Sequence, residues 1–278
     1  MKDLSASNGL RAAGGVIDKI VRAKAERLEG TKRGSSKSDV EREALDAISR
    51  RPIVSLRKQL SGPGGLNIIA EIKHRSPSKG VIRADFDPVR LAESYAKGGA
   101  AALSVLAEED FFGGSLDHLS AIRGRVELPL LRKDFIFDEY QIYESVAAGA
   151  DAVLLIVAIL GDELLMGLSA LAKEMGLEAL VEVHTPDEME RAAKANAKII
   201  GVNNRDLSTF KVDLSTSAEL ARLAPPDATL VSESGIHSAK DIQLLKAAGF
   251  RAFLIGEHFM RAEDPGLALK SLVAGCQC

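Results

Sequence analysis

The chain has 278 residues, 46% apolar and 27% charged, with 36 Lys plus Arg against 39 Asp plus Glu. That length and apolar fraction can bury a sizeable core as a single domain, while a net charge of -3 offers no field for polyanions and argues against nucleic acid as the main partner. Small acidic substrates remain open to a local site. The longest unbroken apolar run, "AVLLIVAIL" at 152 to 160, is roughly half of what a membrane-spanning helix needs, and the start carries no basic segment with a cleavage site. A soluble, cytoplasmic protein that engages no membrane is expected.

Residues 1–65 read as a helical extension. Ile17, Ile20, Val21 and Leu28 keep helical spacing, with Lys24 interrupting the stripe where only its aliphatic stem would lie along it. "SDVE" at 38 to 41 reads as a capping box opening a second helix through Ala44, Ala47 and Ile48. "GTKRGSSKS" between the two reads as a flexible connection. Such an extension would cap one end of the main body of the chain, or pack on a partner.

Residues 66–278 repeat one pattern: a short apolar run, a polar turn, then a helical stretch with a start signal. The runs are "NIIAEIK" at 67, "AALSVLA" at 101, "LPLLRKD" at 128, "DAVLLIV" at 151, "EALVEVH" at 178, "AKIIGVN" at 197, "ATLVSES" at 228 and "RAFLIGE" at 251. Helix starts are marked by Asp87 before Pro88, Thr185 before Pro186 with Glu188 completing a capping box, Ser238 with Asp241, and Asp264 before Pro265. Runs apolar on both faces and separated by helices call for parallel strands buried on both sides. Eight of them define a closed (β/α)8 barrel carrying an N-terminal helical extension, one structural domain overall; a doubly wound open sheet is the alternative.

The first run ends in Glu71 and Lys73, which on a strand share a side. A charge pair on an inner face costs several kcal/mol unless something there uses it. In such a barrel the strand C-terminal ends converge on one cavity. Those ends carry Glu71 and Lys73, Glu108, Arg132 with Lys133 and Asp134, Glu182 and His184, Asn203 to Asp206, Glu233 and Ser234, and Gly256 and Glu257. The fourth run contributes nothing comparable. Carboxylates, lysines and an arginine facing one another away from bulk water would shift each lysine down by burial and cationic neighbours, or up by the carboxylates, which supplies acid and base groups near neutral pH.

"SESGI" at 232 and "LIGEHFM" at 254 place Gly235 and Gly256 after the seventh and eighth strands, where this architecture often binds phosphate through backbone amides. No metal site is expected, because Glu182 and His184 supply two ligands and the histidines at 74, 118, 237 and 258 form no set. Cys276 and Cys278, two apart, are too close for an unstrained disulfide and read as free thiols.

Taken in order, "IIAEIKHRSPSKG", "SVLAEEDFFGGS", "LLRKDFIFDEYQIYE", "LVEVHT", "GVNNRDL", "VSESGI" and "FLIGEHFM" resemble the indole-3-glycerol-phosphate synthase family of tryptophan biosynthesis, over the whole barrel and the extension before it. The resemblance implies closure of the phosphosugar 1-(2-carboxyphenylamino)-1-deoxyribulose 5-phosphate to indole-3-glycerol phosphate, with loss of carbon dioxide and water and without a cofactor. By similarity, Lys133 is the general acid on the ketone and Glu182 the acid/base of later steps. Lys73 pairs with the substrate carboxylate and is a candidate donor in dehydration, with Glu71 orienting these groups. Asn203 and Arg205 hold the substrate, Arg205 through its planar fork. Glu233, Ser234 and Leu254 line the cavity, and Phe112 and Phe135 pack on the aromatic ring. Ser76 and the amides near Gly235, Gly256 and Glu257 hold the phosphate.

Two positions depart from the family pattern. Ala107 replaces a common Thr, which removes a hydroxyl contact. Glu257 replaces a frequent Ser, and a carboxylate there would repel phosphate, leaving its backbone amide as the carried-over contact. The rival readings are a phosphosugar aldolase using Lys133 as a Schiff-base amine, an isomerase using Glu182 as base, and a phosphate-ligand binding protein or interaction module. The resemblance points to a stand-alone synthase and leaves room for association with other tryptophan-pathway enzymes.

Overall fold

The structure is a computed structural model that describes residues 9–62, 66–206 and 209–276. Leu207, which ends the "GVNNRDL" motif, and Cys278 lie outside the described residues; Cys276 is a free thiol. Each of the eight apolar runs forms a strand: β1 Asn67–Ile72, β2 Ala102–Leu106, β3 Leu130–Lys133, β4 Ala152–Ile156, β5 Glu178–Val183, β6 Ile199–Asn203, β7 Thr229–Glu233 and β8 Ala252–Ile255. All neighbours pair in parallel, and β1 closes the ring by pairing with β2 on one side (Glu71 opposite Ser104) and β8 on the other (Ile69 opposite Leu254). The sheet is thus a closed barrel, and the open-sheet alternative fails because no strand is left at an edge.

Residues paired in register face the same side of a barrel wall. Glu182 lies opposite Gly201, Asn203 opposite Glu233, and Lys133 opposite Leu106. These registers bring the strand-end polar groups to one level.

The extension differs from the sequence reading. Helix α1, Gly15–Gly34, runs through most of the segment read as a flexible connection, and α2, Lys37–Arg50, begins after only Ser35 and Ser36. Its capping box is Ser36 with Asp39, two residues upstream of the expected start. The weak helix formers at the end of α1 are held by tertiary contacts: Lys32 Nζ lies 2.6 Å from Asp138 and the Tyr140 hydroxyl donates to the Ser35 carbonyl at 3.2 Å. Local propensity is a weak prior beside such packing.

The extension covers both ends of the barrel rather than one. Ile17 and Ile20 of α1 lie over the C-terminal mouth, while α3, Leu56–Leu60, closes the opposite end. There Asn67 Nδ2 donates to the Leu60 carbonyl at 2.7 Å and the Arg57 amide to Glu178 at 2.8 Å. At the same end, buried Asp151 takes the Val54 amide, Arg51 and Arg123, all at 2.8 to 2.9 Å.

The expected caps at Asp87, Thr185, Ser238 and Asp264 are present. At Thr185 the box is incomplete, because the Glu188 carboxylate accepts from the His184 amide, at 2.7 Å, one residue further back. A hairpin of Arg75–Ser76 and Gly80–Val81 comes directly after β1; its strands are too short for a periodic signal. No helix among the described residues is long and apolar enough to cross a membrane.

Candidate active site

A cavity of about 510 Å³ opens at the C-terminal end of the barrel, and each of the eight strands contributes at least one lining side chain. The fifteen residues singled out from the sequence, Glu71, Lys73, Ser76, Phe112, Lys133, Phe135, Glu182, Asn203, Arg205, Glu233, Ser234, Gly235, Leu254, Gly256 and Glu257, all border it.

At its floor the Lys133 ammonium bridges two carboxylates, 2.7 Å from Glu182 Oε2 and 2.9 Å from Glu233 Oε2. Burial works against the lysine's charge, but Glu182, Glu233 and Glu71 outweigh it and raise its pKa. The sequence left the direction open; the geometry decides for a firmly protonated amine. Burial pushes Glu182 up, yet Lys133, His184 and Asn203 outweigh it and hold it below the usual carboxylate range. Glu233 goes the other way. Burial raises it, Lys133 offsets only part of this, Glu182 and Glu71 add to the rise, and its pKa is about 7. Two carboxylates around one ammonium are thereby split into one that rests ionised at neutral pH and one poised near neutrality.

Two glycines make room for these carboxylates. A Cβ at Gly201 would overlap Glu233 Oε1, and one at Gly256 would overlap Glu71 Oε1. Glu71 in turn accepts a hydrogen bond from Lys73 Nζ, so the opening strand ends in charges because its end is part of the cavity floor. Asn203 Oδ1 accepts from the Ser234 hydroxyl at 2.9 Å and from the Arg205 amide at 3.1 Å. Phe112 and Phe135, with ring centroids 6.4 Å apart, form an aromatic wall. Ser234 and Gly235 are both left-handed, at φ 66 and 80, which turns the chain back on itself at the cavity rim.

Several other strand-end polar residues do different work, and for Arg132 beside Lys133 and Asn204 beside Asn203 period-two alternation explains the split. Arg132, beside Lys133 but on the outer face, is fully buried against the helix Glu139–Ala147, bonded to Asp134, the Gln141 carbonyl and Ser145. Glu108 receives the amides of Asp110, Phe111 and Phe112 at 2.8 to 3.0 Å and so shapes the loop carrying Phe112. Asn204 ties β6 to β7 through Ser232 and the Glu233 carbonyl. Asp206 accepts from the Thr209 amide at 2.9 Å. His184 Nε2 stands 3.5 Å from Glu182 Oε1 while Nδ1 faces Glu188. Among the described residues no three His, Cys, Asp or Glu side chains are grouped to hold a metal ion.

The sequence reading missed part of the lining. The strand without polar residues supplies Leu154 and Ile156, α1 supplies Val16, Ile17 and Ile20, and the loop after β6 supplies Phe210 and Val212. It also treated Lys24 as a buried stem, whereas its ammonium is buried too, 2.8 Å from Asp134 and 2.9 Å from Glu109. The apolar stripe of α1 was legible; which surface it covered was not.

A closed parallel barrel with a lysine and several carboxylates on the floor of its C-terminal cavity defines a (β/α)8-barrel enzyme. Solved structures agree on the fold: 3-hexulose-6-phosphate synthase from Salmonella typhimurium superposes with a TM-score of 0.62 at 14% identity, covering 76% of this chain and 98% of that one. N-acetylmannosamine-6-phosphate 2-epimerase from Clostridium perfringens gives 0.59 at 14%, covering 74% and 90%.

The chain belongs to the indole-3-glycerol phosphate synthase family, whose family model matches residues 17–272. Relatives of that name from Desulfosudis oleivorans and Carboxydothermus hydrogenoformans are 46% and 47% identical, over 93% of this chain and 98% and 99% of theirs. One from Endomicrobium trichonymphae is 48% identical over 92% of this chain and 99% of its own.

Proposed function

We propose that this chain closes 1-(2-carboxyphenylamino)-1-deoxyribulose 5-phosphate to indole-3-glycerol phosphate, releasing carbon dioxide and water in tryptophan biosynthesis. Beside family membership, the observation that carries this reading is the Lys133 ammonium held between Glu182 and Glu233 below an aromatic wall. In the first step the ring carbon bearing the carboxylate attacks the ketone, and an alkoxide develops on its oxygen. Lys133 donates its proton there. A lysine whose pKa is raised remains a competent donor because an alkoxide is far more basic than any amine.

Lys73 and the fork of Arg205 hold the substrate carboxylate until carbon dioxide leaves and aromaticity returns, and Glu71 keeps Lys73 in place. Dehydration then needs a proton delivered to the leaving hydroxyl and another removed from the adjacent carbon. Glu182, with Lys73 as the alternative donor, exchanges these protons, while Asn203 and Ser234 orient the sugar. Ser76 and the backbone near Gly235 and Gly256 anchor the phosphate, whose binding energy keeps ring and ketone in a reactive arrangement. A Schiff-base aldolase would require an amine that is neutral at working pH, the opposite of what the carboxylates around Lys133 impose.

In this reading residues 1–65 act with the 66–278 barrel as one unit, and the protein works in the cytoplasm on a small phosphosugar, either alone or associated with other enzymes of the pathway. The test is a fluorescence assay with the carboxyphenylamino substrate in EDTA. The chain contains no Trp, so indole emission would stand clear of the protein's own. Growth of that signal supports the reading and its independence from metal; a folded sample that gives none sends attention to sugar-phosphate isomerisation and aldol cleavage.

A further inference from the structure

We propose that Glu257 is a positioning residue: clamped by Arg261, its side chain holds the Arg205 guanidinium in place for the substrate's carboxylate and does not itself contact substrate. The inference rests on the proposed function, in which Arg205 receives that group. A carboxylate at the phosphate end of the cavity is otherwise a paradox, since two anions in a partly buried site repel.

The geometry removes the paradox. Glu257 Oε1 accepts from Arg261 Nε at 3.0 Å, one helical turn on, and Oε2 lies 3.9 Å from Arg205 Nη2. Both oxygens therefore face cations. Burial pushes the carboxyl up, but Arg261, Lys79 and Lys73 outweigh it and lower its pKa, so it stands ionised between them.

Arg205 needs such a partner. Its Nη1 donates to the Phe210 carbonyl at 3.2 Å, and its backbone bridges to Val212. Phe210 is a non-glycine residue at φ 60 and borders the cavity, as does Val212. The fork is thus tied at one nitrogen to a loop in a sparsely populated conformation, and its second nitrogen is aimed by Glu257. A planar guanidinium recognises a carboxylate or phosphate through two parallel bonds, so rotation about either tie lowers the value of both. Arg261, half exposed at the surface, sets the carboxylate from outside.

The test compares wild type, Glu257→Gln, Arg261→Gln and Arg205→Lys, with both glutamine changes repeated on Arg205→Lys. Each is assayed for kcat and KM with the carboxyphenylamino substrate, for inhibition by inorganic phosphate, and for thermal unfolding. Wild-type turnover tests the underlying reading separately. Given turnover, Glu257→Gln should raise KM about fivefold, as one partly exposed ion pair would, with a smaller loss in kcat. Arg261→Gln, a surface change that spares the cavity, should move KM the same way by less. Neither should add to the defect of Arg205→Lys, and phosphate should inhibit as in wild type. A fall or no change in KM, tighter inhibition by phosphate, or a Glu257→Gln effect that persists undiminished on Arg205→Lys would overturn the proposal.

Discussion

Lys24 on the first helix and Asp134, the residue after Lys133, meet across a buried interface with Nζ 2.8 Å from Oδ2. The contact joins the extension to the strand that carries the central lysine. Arg132 shares the same carboxylate at 2.8 Å, and together the two cations outweigh burial and keep Asp134 below its ordinary range. The helix that brings Ile17 and Ile20 to the cavity is thereby fastened to its floor.

Replacing Lys24 by Met should loosen that fastening. Asp134 keeps Arg132, so the loss should be about 1–3 kcal/mol rather than the larger cost of an unpaired buried charge. Calorimetry should show Tm lower by several degrees, and kcat/KM should fall with it as the apolar wall shifts. Wild-type values of both would show that α1 is not held through this pair.

Lys133→Ala should lower turnover by about 10²–10⁴-fold, the usual worth of a placed proton donor, while product binding by fluorescence stays measurable. Glu182→Gln should also slow the reaction strongly. Because Lys133→Ala leaves Glu182 and Glu233 facing each other without a cation, that variant should lose stability as pH rises, which Glu182→Gln should not. Turnover unchanged in either variant would remove that residue from the mechanism.

The pH behaviour should centre on Glu233. Its folded pKa of about 7 lies above its ordinary value of 4.5, so the folded state binds the proton more tightly than the unfolded chain. The stability this supplies is fully present below the unfolded value and is lost as pH rises through about 7. Ionised Glu233 also draws the ammonium of Lys133 away from the ketone, so kcat/KM should fall across the same window. Glu233→Gln should flatten both profiles near pH 7 with the same substrate, which cancels the substrate's own titration. A wild-type profile that survives in this variant would assign the limb to another group.

Gly201→Ala should act on Glu233 from behind. The added methyl would occupy the place of Glu233 Oε1 and also press Leu180 of β5. Overpacking of this kind costs about 1–3 kcal/mol, and displacement of an active-site group by an ångström, here the carboxylate that holds Lys133, costs on the order of 10²-fold in rate. Unfolding and kinetics measured together would separate the two; a variant with wild-type kcat would show that the slot is not required.

Eight strands, their helices and most caps were legible because period-two and 3.6-residue patterns are local, and because parallel strands buried on both faces leave an unmistakable apolar run. Eleven of the fifteen lining residues were reachable by a further rule, that strand C-termini converge; Ser76, Phe112, Phe135 and Leu254 came only with the family resemblance. Side-chain direction is not written in the linear pattern. Arg132 and Lys133 are adjacent, yet one anchors an outer helix and the other faces the cavity. Glu188 caps one residue behind its expected partner.

The chain's own order of residues thus determined the barrel, the end at which its chemistry gathers and the family to which it belongs, since hydrophobic period and motif spacing are written along the chain. Only the tertiary structure decided which way each charge is driven and what closes the cavity. Whether Lys133 is made more or less acidic depends on carboxylates from β5 and β7 standing within 3 Å of it, and whether an amphipathic helix is a lid or a partner surface depends on where a buried Lys24 finds its counter-charge. Those are distances between segments remote in sequence, and they exist only once the ring of strands has closed.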